Sequence, residues 1–370
     1  MNIETLIYAY LAVCTSMIIF NCVSIFVFRQ QDTSLKKHSS SLETEVLKQI
    51  QLIEAGETVE QRHEELLQKK LGSTNNLLAF DETLEKLQEQ MPDSIRLYLR
   101  GIRPVFTFLA ADNKYSNTIK LTYFAYFIRK YRIIEGESSS TIVDMMMKLL
   151  QEDSLYCRES ALHAIYSTGD CKCVLQALRT VDESNRFHHA KLLTDGLFTF
   201  TGDKQQLALE LWDSFDSFSV SMQVVILDYI RFSGGDLKEE FLQILADNTK
   251  DDELRFSCIR YFGKYPYESA FPLLLEFVQR PQKQRWEYAA IAVTALASYP
   301  GERTVEVMKK ALTSSNWYIR FNAAKSLESF QLTYLELSDV IESNDRYARE
   351  IMQYQVDLNN VRKEKEGTPV

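Results

Sequence analysis

A short pattern recurs along most of this chain at a nearly constant interval. It is clearest at residues 251–263 (DDELRFSCIRYFG) and 316–328 (NWYIRFNAAKSLE). In both copies an Asp or Asn lies four residues before an Arg, a small residue follows three after it, and a large apolar residue follows seven after it. The position of that Arg is filled by Arg158, Lys191, Gln223, Arg255, Glu287 and Arg320, at intervals of 33, 32, 32, 32 and 33 residues. A regular period of this length with helical patterning predicts an α-solenoid.

The composition agrees with a chain of long helices. Of its 370 residues, 45% are hydrophobic and 12% aromatic, and only 12 are Gly and 7 Pro. The net charge of −9 argues against non-specific nucleic-acid binding, which depends on Lys and Arg contacts to phosphate. We therefore expect no nucleic-acid partner.

Each period divides into two helical runs separated by short polar breaks. The second run of each period begins just before the Arg-like position, and its small and large apolar residues fall on one helix face. The first runs are expected at about 141–150, 171–181, 204–214, 237–246, 267–279, 302–312 and 332–342. The hairpins built from these runs define a predicted repeat domain at residues 93–360, followed by a disordered tail at 361–370.

The repeated pattern resembles HEAT repeats, especially the short bacterial HEAT-like type. The best matches are Asp251…Leu254-Arg255 and Asn316…Ile319-Arg320, and residues 157–165 match well. The resemblance implies an all-α fold, an α–α superhelix of about seven hairpins. It also implies that the arginines pair with the preceding Asp or Asn in a ladder along the stack. The predicted structural ladder comprises Arg158, Asp251, Arg255, Asn316, Arg320, Asp345 and Arg349.

The N-terminal region contains an uncharged run at residues 6–28. This length of apolar helix can cross a bilayer, so a transmembrane helix is expected, with a cleaved signal peptide as the competing interpretation. Arg29, Lys36 and Lys37 follow the run and no basic residue precedes it. The positive-inside rule then predicts a single-pass membrane protein, with residues 1–5 outside and the solenoid in the cytoplasm.

The region between this run and the repeats, residues 29–92, is predicted to be a helical connector. Leu35, Leu42, Val46 and Ile53 lie at heptad-like spacings, but Gly56 interrupts the pattern. Two interpretations remain open: a solvated helix pair that leads into the solenoid, or a segment through which the chain self-associates.

The sequence gives no set of residues with catalytic or metal-binding spacing. Its five histidines include the adjacent His188 and His189, but no second pair stands at the separation that zinc ligands need. Cys171 and Cys173 open a predicted helix, and a role as small buried residues suits them better than reactivity. We expect no catalytic residue, no metal and no cofactor.

The second helices of HEAT-like arrays usually line the concave surface, so their exposed positions are candidates for binding. We predict a groove for a protein partner formed by Phe256, Arg260, Arg285, Tyr288, Tyr318, Phe321 and Lys325. Aromatic and basic residues of this kind are typical of interface hot spots. The competing interpretation is that these aromatic residues stack between repeats as core.

The sequence therefore predicts a membrane-anchored cytoplasmic HEAT-like scaffold. Its expected partner is a membrane-associated protein, for which it would be an accessory subunit of an enzyme or transport complex. One alternative is a solenoid sensor that binds a small ligand or peptide. Another is a HEAT-like enzyme acting on nucleic-acid bases or tetrapyrroles, which the acidic composition opposes.

Overall fold

The structure is a computed structural model that describes residues 3–112, 117–184, 186, 188–281 and 285–365. Within α1 (Ile3–Glu54) it describes the side chains of residues 8, 10, 12–24 and 39–54, and in the last helix those up to residue 359. These residues form helices, turns and loops without any strand. They divide into two compact units, Met1–Arg186 with Thr199–Gly202 and Phe187–Phe198 with Asp203–Val370.

The first unit is built from nine helices in its described residues. After α1 these are α2 (Gln61–Lys70), α3 (Thr74–Gln90), α4 (Pro92–Gly101), α5 (Arg103–Ala111), α6 (Thr118–Lys130), α7 (Thr141–Leu149), α8 (Leu155–Tyr166) and α9 (Cys171–Glu183). Proline stands in the first turn of α4 and of α5, where its missing N–H costs nothing.

Helices of the first unit pack mainly on helices two or three positions away along the chain. Helix α5 packs on α7 and α6 packs on α8, while α1 packs on α3 and α4. The core at this end is aromatic: the Phe127 ring stacks on Phe80 at 5.9 Å and lies 5.3 Å from Phe106, and all three rings are fully buried. Removing such a ring would leave a large cavity, so these residues fix the packing of α3, α5 and α6.

The structure contradicts the predicted transmembrane helix at residues 6–28. This run belongs to α1, a single helix of 52 residues whose later part packs in the core of the first unit. Among the described residues, no helix combines the length and the apolar character needed to cross a membrane. The single-pass arrangement and the predicted orientation therefore lose their basis.

The predicted connector is also integrated into the first unit. Leu42 and Val46, two of the residues at heptad-like spacing, are buried, and α1 packs there on α3 and α4. Ile53 is half-buried, and the side chain of Leu35 lies outside the described residues. Among the side chains that the structure describes, the heptad-like spacing thus reflects packing within the chain.

The second unit is a succession of helical hairpins. Its helices are α10 (Ala190–Leu197), α11 (Lys204–Asp213), α12 (Val220–Ser233), α13 (Lys238–Ala246), α14 (Asp252–Lys264), α15 (Phe271–Gln279), α16 (Trp286–Leu296), α17 (Glu302–Ala311), α18 (Trp317–Ser329), α19 (Tyr334–Ile341) and α20 (Arg346–Lys365). A 3-10 turn at Phe215–Ser217 precedes α12.

Packing in the second unit follows the predicted period. The even-numbered helices α10 to α20 each pack on the next even-numbered helix, and the odd-numbered helices α11 to α19 each pack on the helix that follows them. Small residues allow close approach: a Cβ added to Gly263 would lie 3.0 Å from the Cα of Ala295. The described residues are all-helical, and this solenoid-like packing is consistent with the predicted α-solenoid.

The Asp or Asn of the repeated pattern caps the second helix of its hairpin. The Asp251 carboxylate accepts a hydrogen bond from the Glu253 N–H at 2.9 Å, and the Asn316 side chain accepts one from the Tyr318 N–H at 2.9 Å. Asp345 accepts from the Tyr347 N–H at 3.0 Å in the same way. These side chains satisfy backbone donors that a helix leaves free at its start.

The arginines of the pattern donate to backbone carbonyls, whereas the sequence predicted that they pair with an Asp or Asn of the ladder. Arg255 Nε donates to the Leu245 carbonyl in the last turn of α13 at 3.0 Å. Arg158 donates to the Glu152 and Asp153 carbonyls, both at 2.8 Å, just after α7. Arg320 and Arg349 likewise donate to the carbonyls of Ser315 and Ser343.

This use of the guanidinium group has a physical reason. The last carbonyls of a helix lack intrahelical donors and carry partial negative charge, which an Arg complements. Gln223, which replaces Arg in its repeat, keeps the function of a donor and binds the Phe215 carbonyl at 3.1 Å. Arg255 therefore ties α14 to the end of α13, whereas Arg158, Arg320 and Arg349 bind carbonyls of the segment that precedes their own helix.

Candidate protein-binding surface

The residues of the predicted groove divide into a buried group and an exposed group. Phe256 and Tyr288 are each 2% exposed, so their expected place on the surface is wrong. Their rings meet edge to face at 4.7 Å between α14 and α16. The competing interpretation, that aromatic residues stack between repeats as core, holds for this pair.

The other groove residues remain accessible to solvent. Arg260 and Phe321 are half-buried, whereas Arg285, Tyr318 and Lys325 are exposed. The structure brings Arg285 over the Phe256 ring at 5.4 Å and places Tyr318 beside Phe321 in the first turns of α18. No described hydrogen bond or ion pair joins Arg260 or Lys325 to these aromatic residues. The predicted groove is therefore not one continuous strip.

A polar network covers the buried pair. The Tyr288 hydroxyl donates to Asp252 Oδ1 at 2.6 Å, and Arg285 Nη1 lies 3.2 Å from Asp252 Oδ2. The hydrogen bond from Tyr288, together with the one from Arg285, lowers the pKa of Asp252. Burial, and then the Asp252 carboxylate, raise the pKa of Tyr288, so its hydroxyl keeps its proton and stays a donor.

Four aromatic side chains form the outer face of the same helix ends. We define the aromatic surface as Trp286, Trp317, Tyr318 and Phe321. Trp317 and Tyr318 are 55% and 56% exposed, and Trp286 is also exposed. Trp317 and Tyr318 lie in the first turn of α18, where the Asn316 cap fixes the backbone.

The rings of the aromatic surface support one another. Trp286 stacks on Tyr318 with ring centroids 5.2 Å apart and planes 20° apart. Trp317 stacks on Phe321 at 4.9 Å with the same tilt and meets Tyr318 edge to face at 5.2 Å. Offset stacks of this kind are favourable beyond the area they bury. The surface is therefore rigid although it is exposed.

A cleft of about 420 Å³ opens beside Trp286. Its wall combines apolar side chains with neutral hydroxyl and amide groups, and Lys310 is the one charged residue among the wall residues that the structure describes. The wall residues are Val278, Gln279, Pro281, Trp286, Val307, Lys310, Ala311, Thr313, Ser314, Ser315, Asn316 and Ile319. Such a lining suits an apolar side chain and a few backbone hydrogen bonds.

Sequence reasoning missed both tryptophans as surface residues. Trp286 lies one residue before the Arg-like position, where the other repeats carry buried residues such as Leu254 and Ile319. Trp317 directly follows the cap residue Asn316. The useful signal was the size of Trp at a position that otherwise holds smaller apolar residues, because a large ring is rarely fully buried.

The described residues offer little else with chemical function. They contain no group of three or more His, Cys, Asp or Glu side chains that could hold a metal ion. Burial raises the pKa of the thiols of Cys157, Cys173 and Cys258, so these thiols stay protonated. The aromatic surface and the cleft are suited to binding.

Comparison with known proteins gives no relative. No protein-family model matches the chain, and no curated protein matches it in sequence. Membership of the HEAT family therefore stays a prediction that the repeated residues alone support.

Proposed function

We propose that the chain is a HEAT-like scaffold protein whose second unit binds a partner protein at the aromatic surface and the adjoining cleft. The observation that carries this proposal is the exposure of Trp317 and Tyr318 beside Trp286 in one rigid stack. The proposal assigns no catalytic step to the chain.

The exposure of these rings is costly unless they meet another molecule. Large aromatic side chains that stand together on a surface mark interaction sites, and Trp and Tyr are enriched among residues that dominate binding energy. Because the four rings already hold one another by stacking, a partner would lose little free energy in ordering them. The surface thus meets the physical requirements of a binding hot spot.

The charge of the cleft supports a polypeptide as the occupant. A nucleic acid or a phosphorylated ligand would need several cations, and among the described wall residues this cleft offers only Lys310. Neutral groups such as those of Gln279, Thr313 and Ser315 can pair with the amides of an extended chain. We therefore propose an extended partner segment that carries apolar side chains.

The test compares two variants with matched exposure. Trp317→Ala/Tyr318→Ala removes the exposed rings of α18. Tyr334→Ala removes a ring that is also exposed but lies at the start of α19, in the following hairpin. Proteins that co-purify with the wild type from the cells that make it are identified, and each is then purified and titrated against all three forms.

The proposal predicts one partner that binds the wild type and Tyr334→Ala equally. Loss of two hot-spot rings should weaken its affinity for the double variant by about 100-fold or more, corresponding to roughly 3 kcal/mol. The folded state of each form is checked by its thermal unfolding. A partner that binds all three forms equally, or none in the wild type, would show that the aromatic surface is not the binding site.

A further inference from the structure

A second candidate site lies in the first unit. A cavity of about 440 Å³ opens between the ends of α3 and α6, one side of α4 and the first residue of α5. Five positively charged side chains line it, namely Arg96, Arg100, Arg103, Lys130 and Arg132, beside two carboxylates. The whole chain has a net charge of −9, so this local excess runs against its composition.

Two of the five cations already have partners. Lys130 Nζ lies 2.8 Å from Asp81 and 3.3 Å from Glu85. Arg103 pairs with Glu137 and also donates to the Glu135 carbonyl at 3.3 Å. These two side chains form part of the frame of the cavity, and the charge available to a ligand comes from the other three.

The remaining three arginines are poorly satisfied within the chain. Arg96 and Arg132 share one carboxylate, Glu135, at 3.4 and 3.9 Å, and both side chains are exposed. Exposed pairs at such distances contribute little. Arg100 makes no ion pair with any described residue. Asp93 is the other carboxylate of the wall, so two carboxylates face three guanidinium groups.

The spacing along α4 adds to this imbalance. Arg96, Arg100 and Arg103 stand at positions i, i+4 and i+7, which places the first two one turn apart on one face of α4 and Arg103 just beyond its end. Like charges at this spacing repel each other. A bound anion would relieve that repulsion.

Arg132 occupies a backbone conformation that favours glycine. Its φ is +48°, in the left-handed region, just after the end of α6. Glycine is the usual residue at this point of a helix end, and a longer side chain there is strained. The chain instead carries a guanidinium group that lines the cavity. A contact between Arg132 and a ligand would explain why arginine occupies this position.

The rest of the wall limits what can bind. Ile95, Leu99 and Ile133 are buried apolar residues at the cavity. Its volume falls in the range of small-molecule sites and is too small for a folded partner. Guanidinium groups match phosphate oxygens in a planar, two-pronged geometry. We propose that this cavity binds a small phosphorylated molecule, with Arg96, Arg100 and Arg132 contacting its phosphate oxygens.

The test is isothermal titration calorimetry of the full chain with pyrophosphate as the probe. Wild type should bind it, and Arg96→Gln/Arg100→Gln should bind it at least about tenfold more weakly, since two charge-assisted hydrogen bonds are lost. Arg280→Gln is the matched control, because Arg280 is an exposed arginine of the second unit that pairs with Glu276 at 3.2 Å. It should leave the affinity unchanged.

Arg132→Gly separates binding from folding. Glycine suits the positive φ, so the melting temperature of the variant should equal or exceed that of the wild type. Its affinity for pyrophosphate should nevertheless fall.

Three results would overturn the proposal. They are no heat of binding for wild type at millimolar pyrophosphate, equal affinity in wild type and Arg96→Gln/Arg100→Gln, and an equal loss in Arg280→Gln. Tighter binding of citrate than of pyrophosphate would instead assign the cavity to carboxylates and reject phosphate as its ligand. None of these results bears on the partner of the second unit.

Discussion

Two pairs of aromatic residues at the starts of second helices in the second unit differ in what covers them. Phe256 and Tyr288 pack between α14 and α16 under Arg255 and Arg285, and solvent barely reaches them. Trp317 and Tyr318 begin α18 and are more than half exposed. Relative to the Arg-like position of the repeat, Phe256 and Tyr288 stand one residue after it, whereas Trp317 and Tyr318 stand three and two residues before it. The comparison shows that the position within the repeat separates the buried rings from the exposed ones.

The largest loss of stability should follow from removing a ring of the buried pair. Tyr288→Ala removes a fully packed ring and leaves a cavity beside Phe256, Phe277 and Arg255. We expect a loss of about 3–5 kcal/mol in the free energy of unfolding, measured by urea titration. Tyr288→Phe keeps the ring and loses only the hydrogen bond to Asp252, so it should cost about 1 kcal/mol. Similar losses for both would show that the ring itself is not buried as described.

A smaller loss should come from the arginine that covers this pair. Arg255→Ala removes the donor to the Leu245 carbonyl and the guanidinium that lies 4.9 Å from the Tyr288 ring. We expect about 1–3 kcal/mol of destabilisation in the same urea titration. Arg255→Lys should recover little of it, because an ammonium group does not stack on a ring as a guanidinium does. Full recovery by Lys would mean that charge alone sets the effect.

The pH dependence of the free energy of unfolding should also distinguish the buried pair from the exposed pair. The Tyr288 hydroxyl, and then Arg285, hold the pKa of Asp252 below its usual value. A lowered carboxylate pKa stabilises the fold above the unfolded value of about 3.9, and this stability is lost as pH falls through the lower folded value. The free energy of unfolding should therefore fall less steeply below about pH 4 in Asp252→Asn than in wild type. Trp317→Ala should keep the wild-type slope, and an equally shallow slope there would break the distinction.

The smallest effect on stability belongs to the outer pair. Trp317→Ala/Tyr318→Ala removes exposed rings, and surface changes usually shift stability by less than about 0.5 kcal/mol each. Loss of the stack with Trp286 and Phe321 adds to this, so we expect at most about 1 kcal/mol in total. Thermal and urea unfolding check this value. A loss as large as that of Tyr288→Ala would make the outer pair core as well.

The sequence predicted the repeated elements of this fold well. Its period gave the hairpins of the second unit; for example, the expected run at 302–312 is helix α17 at Glu302–Ala311. Periodicity succeeds here because each hairpin makes the same contacts with its neighbours. It could not show how deeply each position of the second helix is buried, so Phe256 and Tyr318 were both placed in the predicted groove. It also could not show that the arginines donate to backbone carbonyls, because every residue has a carbonyl and the sequence does not indicate which one is bound.

The first unit was less predictable for a related reason. Its helices are irregular in length, and α1 joins the uncharged run to a packed segment that ends at Glu54. The basic spacing of Arg96, Arg100 and Arg103 is visible in the sequence, but the cavity is not. The cavity needs Arg132 from the end of α6, whose approach to α4 depends on tertiary packing.

Site-specific photo-crosslinking tests the central claim, that the exposed aromatic surface meets a partner, most directly. A photoreactive benzoylphenylalanine replaces Tyr318 in one form and Tyr334 in another, and cells that make the protein are irradiated. Both positions are exposed, and both substitutions keep an aromatic ring. The account predicts a covalent adduct with one partner protein from position 318 and none from position 334. Adducts from both positions alike, or from position 334 alone, would contradict it.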